Sequence, residues 1–435
     1  MMRSLWSGVA GLKTHQLEMD VIGNNIANVN TTSYKSQATG FTDILYQTVR
    51  QGTGAGDNVA TTNISQVGLG SKVGSIYTNI TKQGSAVTTN NVFDLMITGD
   101  SFFVVTLPDG TQAFTRDGSF TLDGEGNFVT QNNGYICNMI AGEGISASAS
   151  IMNDRTKTMA GQATSEGYMK GNLNRADPVL KEGKIQSMEV YGKDGNRYTI
   201  KFKFTDAGDE DDSTYGLSID KILDQDGKKI DNSVEDDLIL KYSKHDGTLE
   251  GIANAGDENL ANGKTSFAFT FGGDAANIGT LNVDFSNTSN YANSMGGTSS
   301  TIYAYRGDTQ GLNQGYPNGE LSGISITNDG SIYGDYTNGQ TVKISQIIVA
   351  QFSNAMGLEK IGDNLYRASL NSGEPIYMDI TQDGGYMSSG YLEGSNIDLA
   401  KEFTDMITTQ RGFQANSRVI TTSDEMLQIL KGLKR

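Results

Sequence analysis

Side chains able to transfer protons or attack as nucleophiles at neutral pH are scarce: His15 and His245 are the two imidazoles, and Cys137 the single thiol, in 435 residues. That removes most zinc sites, any intramolecular disulfide and any histidine-dependent triad with a residue to spare. His15 falls in a helical stretch and His245 precedes Asp246-Gly247, so a surface or satisfied role fits each better than that of a general base. Cys137, in Gly134-Tyr135-Ile136-Cys137, reads as a small buried hydrophobe. Gly52-Thr53-Gly54-Ala55-Gly56 and Gly68-Leu69-Gly70-Ser71-Lys72 are superficially like phosphate loops, but neither has the G-x-x-x-x-G-K-[ST] order or a strand-to-helix context. Asp206, Asp209, Glu210, Asp211 and Asp212 form an acidic knot, and Asp224-Gln225-Asp226-Gly227 opens like a calcium loop without its later ligands; solvated turns are expected at both. Fifty acids leave a carboxylate pair for glycoside hydrolysis open, and nothing points to one. The chain is expected to be no enzyme, with no catalytic, cofactor-binding or metal site.

The acids outnumber 33 basic residues for a net charge of −17, and no basic cluster breaks that balance, so nucleic acid is a poor partner. The first residues hold no apolar block of signal-peptide length and no later run is long enough to span a membrane; a protein acting outside the cell would have to leave by a route that cleaves nothing.

Pattern, rather than chemistry, is where this sequence is rich. From Leu5 to Asn28, Leu5, Leu12, Met19 and Ile26 lie seven apart with Val9 and Ile22 beside them, a heptad seam that predicts a helix capped by Ser4 and weakened at Gly23. At the other end Leu399, Met406, Phe413, Ile420 and Leu427 repeat the spacing, flanked by Phe403 and Leu430. That predicts a second helix over about 396–432, with Ser395 and Asp398 as a capping box. Trp6 beside the first seam is an anchor candidate if the helix serves assembly. Burying about five seam residues each offsets only part of the cost of ordering the backbone, so both terminal segments are expected to be largely disordered in the monomer and to fold when neighbours supply apolar surface. Between them, Asp109-Gly110, Asp117-Gly118, Asp123-Gly124, Asp194-Gly195, Asp226-Gly227, Asp329-Gly330 and Asp383-Gly384 punctuate short alternating runs such as Ile200, Phe202, Phe204 and Phe267, Phe269, Phe271. These are hairpin signals. The fold class expected is α+β, mainly β: long terminal helices forming a coiled-coil layer, with two antiparallel β domains inserted between them.

Two stretches carry a family. Ser7-Gly8-Val9-Ala10-Gly11-Leu12, the run Leu17 to Thr32 centred on Gly23-Asn24-Asn25-Ile26-Ala27-Asn28, and Tyr34-Lys35 resemble the N-terminal signature of the bacterial flagellar rod and hook proteins. Leu392-Glu393-Gly394-Ser395-Asn396-Ile397-Asp398-Leu399-Ala400, Met406-Ile407 and Gln410-Arg411-Gly412-Phe413-Gln414-Ala415-Asn416-Ser417 resemble the C-terminal one. Asp94 to Gly99 and Phe102 to Val105 are similar to the middle domain that hook and rod members share, and Asn354 to Lys360, Gly362 to Tyr366 and Ser372 to Pro375 to the second half of the hook members; the stretch 145–305 matches only loosely, through Gly171-Asn172-Leu173. Three positions depart from the pattern: Ser33 stands where Gly is usual, Asp100 where a second Gly is common, and Gly412 where Ala is common.

The resemblance implies an inner layer from 1–70 and 386–435, a middle β domain from 71–145 with 306–385, and an outer inserted β domain over 146–305. It implies a structural subunit that self-assembles into a curved, flexible tube and transmits torque from motor rod to filament as a universal joint. Such a subunit is extracellular, in the flagellum, and exported without a cleaved signal peptide. Implied partners are copies of the chain itself, the distal rod protein, the hook cap, the hook-filament junction proteins and the export apparatus. Leu5, Val9, Leu12, Met19 and Ile26 against Leu399, Phe403, Met406, Phe413, Ile420 and Leu427 are the expected assembly interface. Asn24, Asn25, Asn28, Asn396, Asp398, Gln410 and Arg411 are the expected turn and motif residues. A distal rod subunit, or a secreted β-rich adhesin or carbohydrate-active protein, are the alternative readings.

Overall fold

The structure, a computed structural model, describes residues 2–52, 54, 61–141, 144–146, 150–207, 213–231, 237–254, 261–292 and 297–432. Four α-helices lie among them: α1 (Met2–Ala27), the single turns α2 (Asp154–Lys157) and α3 (Val179–Glu182), and α4 (Leu399–Gly432); the remainder is strand and turn. A mainly β chain with a long helix at each end is what the alternation and the heptads predict, but the caps differ. Ser4 lies inside α1, its hydroxyl 3.5 Å from that of Ser423, and so does not cap it. The cap of α4 is Asp398, whose Oδ1 accepts the N–H groups of Ala400 (3.0 Å) and Lys401 (3.3 Å). Ser395 does not serve, because the stretch before Asp398 is bonded to other parts of the chain and stays extended.

The chain folds as two compact units, one of residues 1–153, 324–333 and 343–435, the other of 154–323 and 334–342. The first holds a nine-stranded sheet whose centre is the hairpin Phe102–Thr106 with Gln112–Thr115. Alternation there splits the side chains between two buried clusters, Phe103 and Val105 on one face, Phe102 and Val104 on the other. Edge-to-face rings hold each, Phe103 on Phe120 at 5.0 Å and Phe114 on Phe352 at 4.7 Å. Cys137 is fully buried in this unit, and burial pushes its thiol far up, as expected of an inert hydrophobe.

In the second unit a seven-stranded and a four-stranded sheet share one core. Ile200, Phe202 and Phe204 are fully buried, their alternating lysines are not, and Phe202 meets Phe269 at 5.5 Å. One pairing here is not antiparallel: Glu166–Asn172 runs parallel to Thr280–Ser289, which the more than 100 residues between them permit.

The Asp-Gly pairs divide. Asp109-Gly110, Asp194-Gly195, Asp226-Gly227 and Asp329-Gly330 turn between consecutive strands with the glycine at positive φ. In the turn opened by Asp123 it is Gly126 that takes positive φ. Gly384 ends the 3-10 turn Ile380–Asp383. Asp117-Gly118 makes no hairpin; Gly118 is there because a Cβ would strike the carbonyl of Leu95. Of the acidic knot, residues 208–212 lie outside the described residues.

Candidate assembly site: the helix pair and its root

α1 and α4 lie antiparallel, and a row of small and polar residues runs along their contact. From one end to the other, Ser4 meets Ser423, Gly8 and Gly11 meet Asn416, His15 lies on Gly412, and Asn25 Nδ2 donates to Glu402 Oε2 at 3.2 Å. A Cβ at residue 11 would stand 2.5 Å from Asn416 Nδ2, and one at residue 8 would stand 3.4 Å from the Asn416 carbonyl, so glycine allows the close approach. Ser4, Gly11, Glu18 and Asn25 on α1, and Glu402, Thr409, Asn416 and Ser423 on α4, are each seven apart. Polar residues thus share a heptad spacing along the contact, with Ile420 at Gly8 beside them.

The apolar rows run beside it. Leu5, Val9, Leu12, Met19 and Ile26 are half-buried, as are Met406, Phe413 and Ile420, while Leu399, Phe403 and Leu427 are exposed. Of these the structure brings Ile420 against Gly8. Trp6 is 65% exposed. Ile407, Val419, Met426, Ile429 and Leu430 add further uncovered apolar surface on α4, and Gln410 and Arg411 point into solvent, Arg411 bonding only along its own helix to Gln414.

Two antiparallel ribbons follow α1: β1 (Gln37–Asp43) pairs with β4 (Ser71–Thr78) and both pack on α1, and β2 (Tyr46–Arg50) pairs with β3 (Ser65–Gly68). The glycine of the would-be phosphate loop, Gly70, is needed for contact with α1, since a Cβ there would lie 3.0 Å from that of Ala10. Thr14 Oγ1 also donates to the Ser71 carbonyl.

At the root of the pair, asparagines do the turning. Asn28 Nδ2 bonds back to the Asn24 carbonyl (2.9 Å), and Asn24 Nδ2 donates to the Tyr34 hydroxyl (3.1 Å). Asn25 grips the backbone of Gln37 twice, accepting its N–H at 3.0 Å and donating to its carbonyl at 2.8 Å. Ser33 takes φ 55°, which explains why glycine is usual there in the resemblance; its hydroxyl donates to the Arg116 carbonyl and its N–H to the Glu393 carbonyl. Asn396, buried, accepts the Ser36 N–H at 2.7 Å and donates to the carbonyls of Asn79 and Lys82, both at 2.9 Å. Beneath them Lys35 and Glu393 form a buried ion pair at 2.7 Å.

Sequence reasoning missed the polar seam and this pair. The seven-residue series of small and polar residues was the available signal for the first; nothing local marks the second. A groove of about 340 Å³ beside the root is lined by Glu18, Gln37, Asn396, Asp398, Glu402 and Asp405 among others. Among the described residues no group of three or more His, Cys, Asp or Glu is arranged to hold a metal, and no helix is long and apolar enough to cross a membrane.

Three family profiles match. Residues 5–35, α1 and its turn, match one described as flagella basal body rod protein. Residues 96–156 match the flagellar hook protein FlgE/F/G D1 domain, and 388–433 match the flagellar basal body rod FlgEFG protein C-terminal. The chain is 33% identical over 462 residues to the flagellar hook protein FlgE of Borreliella burgdorferi and 32% identical over 474 residues to that of Treponema pallidum. It is 29% identical over 437 residues to the flagellar basal-body rod protein FlgG of Bacillus subtilis; all three alignments cover 100% of both chains. The chain therefore belongs to the FlgE/F/G family of flagellar rod and hook proteins, non-enzymatic structural subunits of the bacterial flagellum.

Proposed function

We propose that the chain is a hook subunit, polymerising into a curved tube that carries torque from the rod to the filament outside the cell. The observation that supports this reading best is the pair of apolar rows that the monomer leaves partly uncovered. Leu399, Phe403 and Leu427 on α4 are exposed, and Leu5, Leu12, Met19 and Ile26 on α1 with Met406 and Phe413 on α4 are only half-buried, so apolar surface remains for copies of the chain. A tube needs contacts between two different surfaces of one subunit, and two rows on different helices provide them. The helix pair then forms the inner layer, and the two β-rich units supply the layers outside it. The distal rod protein, hook cap, hook-filament junction proteins and export apparatus are the further partners of such a subunit.

A rod subunit is the second reading, favoured by the full-length likeness to a rod protein at 29% identity; length does not separate the two. Shape does. Electron microscopy of the full chain after concentration and salting-out is expected to show curved tubes. Straight tubes would move the assignment to the rod, and a chain that stays monodisperse under all such conditions would overturn self-assembly.

A further inference from the structure

The Lys35–Glu393 pair has a role that tube building through apolar rows does not ask for. The two residues are 358 positions apart, and each side chain is 1% exposed. Lys35 Nζ donates to Glu393 Oε1 and to the Lys82 carbonyl (2.9 Å); Glu393 Oε1 also takes the Gly84 N–H (2.8 Å). One step along the chain, Asn396 ties Ser36 to Asn79 and Lys82, and Ser33 ties Glu393 to Arg116. Arg116, 3% exposed, is a second buried cation stabilised by Glu393. Arg116 Nε and Glu393 Oε2 find no hydrogen-bond partner among the described residues, so the cluster has little slack.

We propose that Lys35 and Glu393 are a two-ended clasp, which lets the chain leaving α1, the loop at 79–84 and the chain entering α4 become ordered only together. An ion buried without its counter-ion is strongly disfavoured. Lys35 therefore stays in water until Glu393 arrives, and Glu393 cannot enter alone. A chain that presents its N-terminus first carries Lys35 long before Glu393, so the root of α1 is not fixed until nearly the whole subunit is available. Incomplete chains are thereby kept from offering a correctly set helix pair. The clasp does not depend on whether the tube is hook or rod.

Hydrogen exchange of the full chain tests it with three variants: Lys35→Met, Glu393→Gln, and Lys35→Met/Glu393→Gln, which leaves neither member of the pair charged and keeps an acceptor for the Gly84 N–H. Each single change is expected to speed exchange by roughly a hundredfold at residues 33–37, 79–84 and 392–396 alike, with the sheets of the second unit unchanged. The double variant is expected to exchange more slowly than Glu393→Gln, which leaves both Lys35 and Arg116 without their carboxylate. Glu393→Gln alone, the mildest change, decides the matter if the methionine variants do not fold. Loosening confined to the mutated side, or additive loosening in the double variant, would overturn the clasp.

Discussion

A single methyl group separates this helix pair from the usual pattern. A Cβ at residue 412 would stand 2.7 Å from His15 Nε2, and that imidazole is held by Glu18 at 3.2 Å and by the edge of Phe41 at 6.1 Å. Gly412→Ala is therefore expected to destabilise the pair by about 1 kcal/mol, overpacking outweighing the better helix propensity of alanine. In a His15→Ala background the same change is expected to stabilise, and a thermal double-mutant cycle read by circular dichroism checks the reversal of sign. Ser33 is the matching case at the root, a residue at positive φ that side-chain and backbone bonds compensate. Both departures were visible in the sequence, but what each one touches was not.

The turn carboxylates make a second prediction at this scale. Bonds from Thr111, Asn127 and Ser243 with Thr248 hold Asp109, Asp123 and Asp246 below the ordinary carboxylate range. Their pKa values are lower folded than unfolded, so their stabilisation is full above about pH 4 and is lost as pH falls through the folded values. Nuclear magnetic resonance titration should find these three among the last carboxylates to protonate.

At the scale of elements, the apolar heptads were legible and the seam that closes the pair was not. Glu402, Thr409, Asn416 and Ser423 read as a solvent face because their polarity hides them; the glycines opposite, on a helix 400 residues away, are what put them inside. Leu12→Asp and Phe413→Asp are expected to leave secondary structure and melting of the β units unchanged and to abolish tubes in electron micrographs. Normal tubes from either would exclude the apolar rows as the assembly surface. Asn416→Leu should act the other way, since overfilling the seam at Gly8 and Gly11 costs about 1–3 kcal/mol within the monomer. The ribbons β1–β4 and β2–β3 lie in a stretch where Gly and Thr are frequent; β1 and β4 are held by pairing and by α1, which composition does not reveal.

For the whole molecule, the two units each enclose a core of their own. Denaturant unfolding followed by residue-resolved hydrogen exchange is therefore expected to give two transitions, with Phe202 and Phe269 reporting one and Phe103 and Phe120 the other; coincident transitions would contradict independent cores. The expected insert covered 146–305 with 306–385 in a middle domain, whereas the second compact unit holds 154–323 and 334–342; the clasp was beyond reach, because a lysine and a glutamate 358 positions apart carry no local pattern.

The glycine seam has a mechanical consequence. Helices that interlock through large side chains resist sliding along their whole length, as gear teeth do. Here the interlocking groups are few, Asn416 against Gly11 and His15 against Gly412, and register rests on them and on a few hydrogen bonds, chiefly Asn25 to Glu402 at one end and the Ser4–Ser423 contact at the other. Over a helix about 50 Å long, a small axial shear stretches those few bonds and shifts Asn416 and His15 against their glycines. The pair acts as a telescoping strut keyed at its ends.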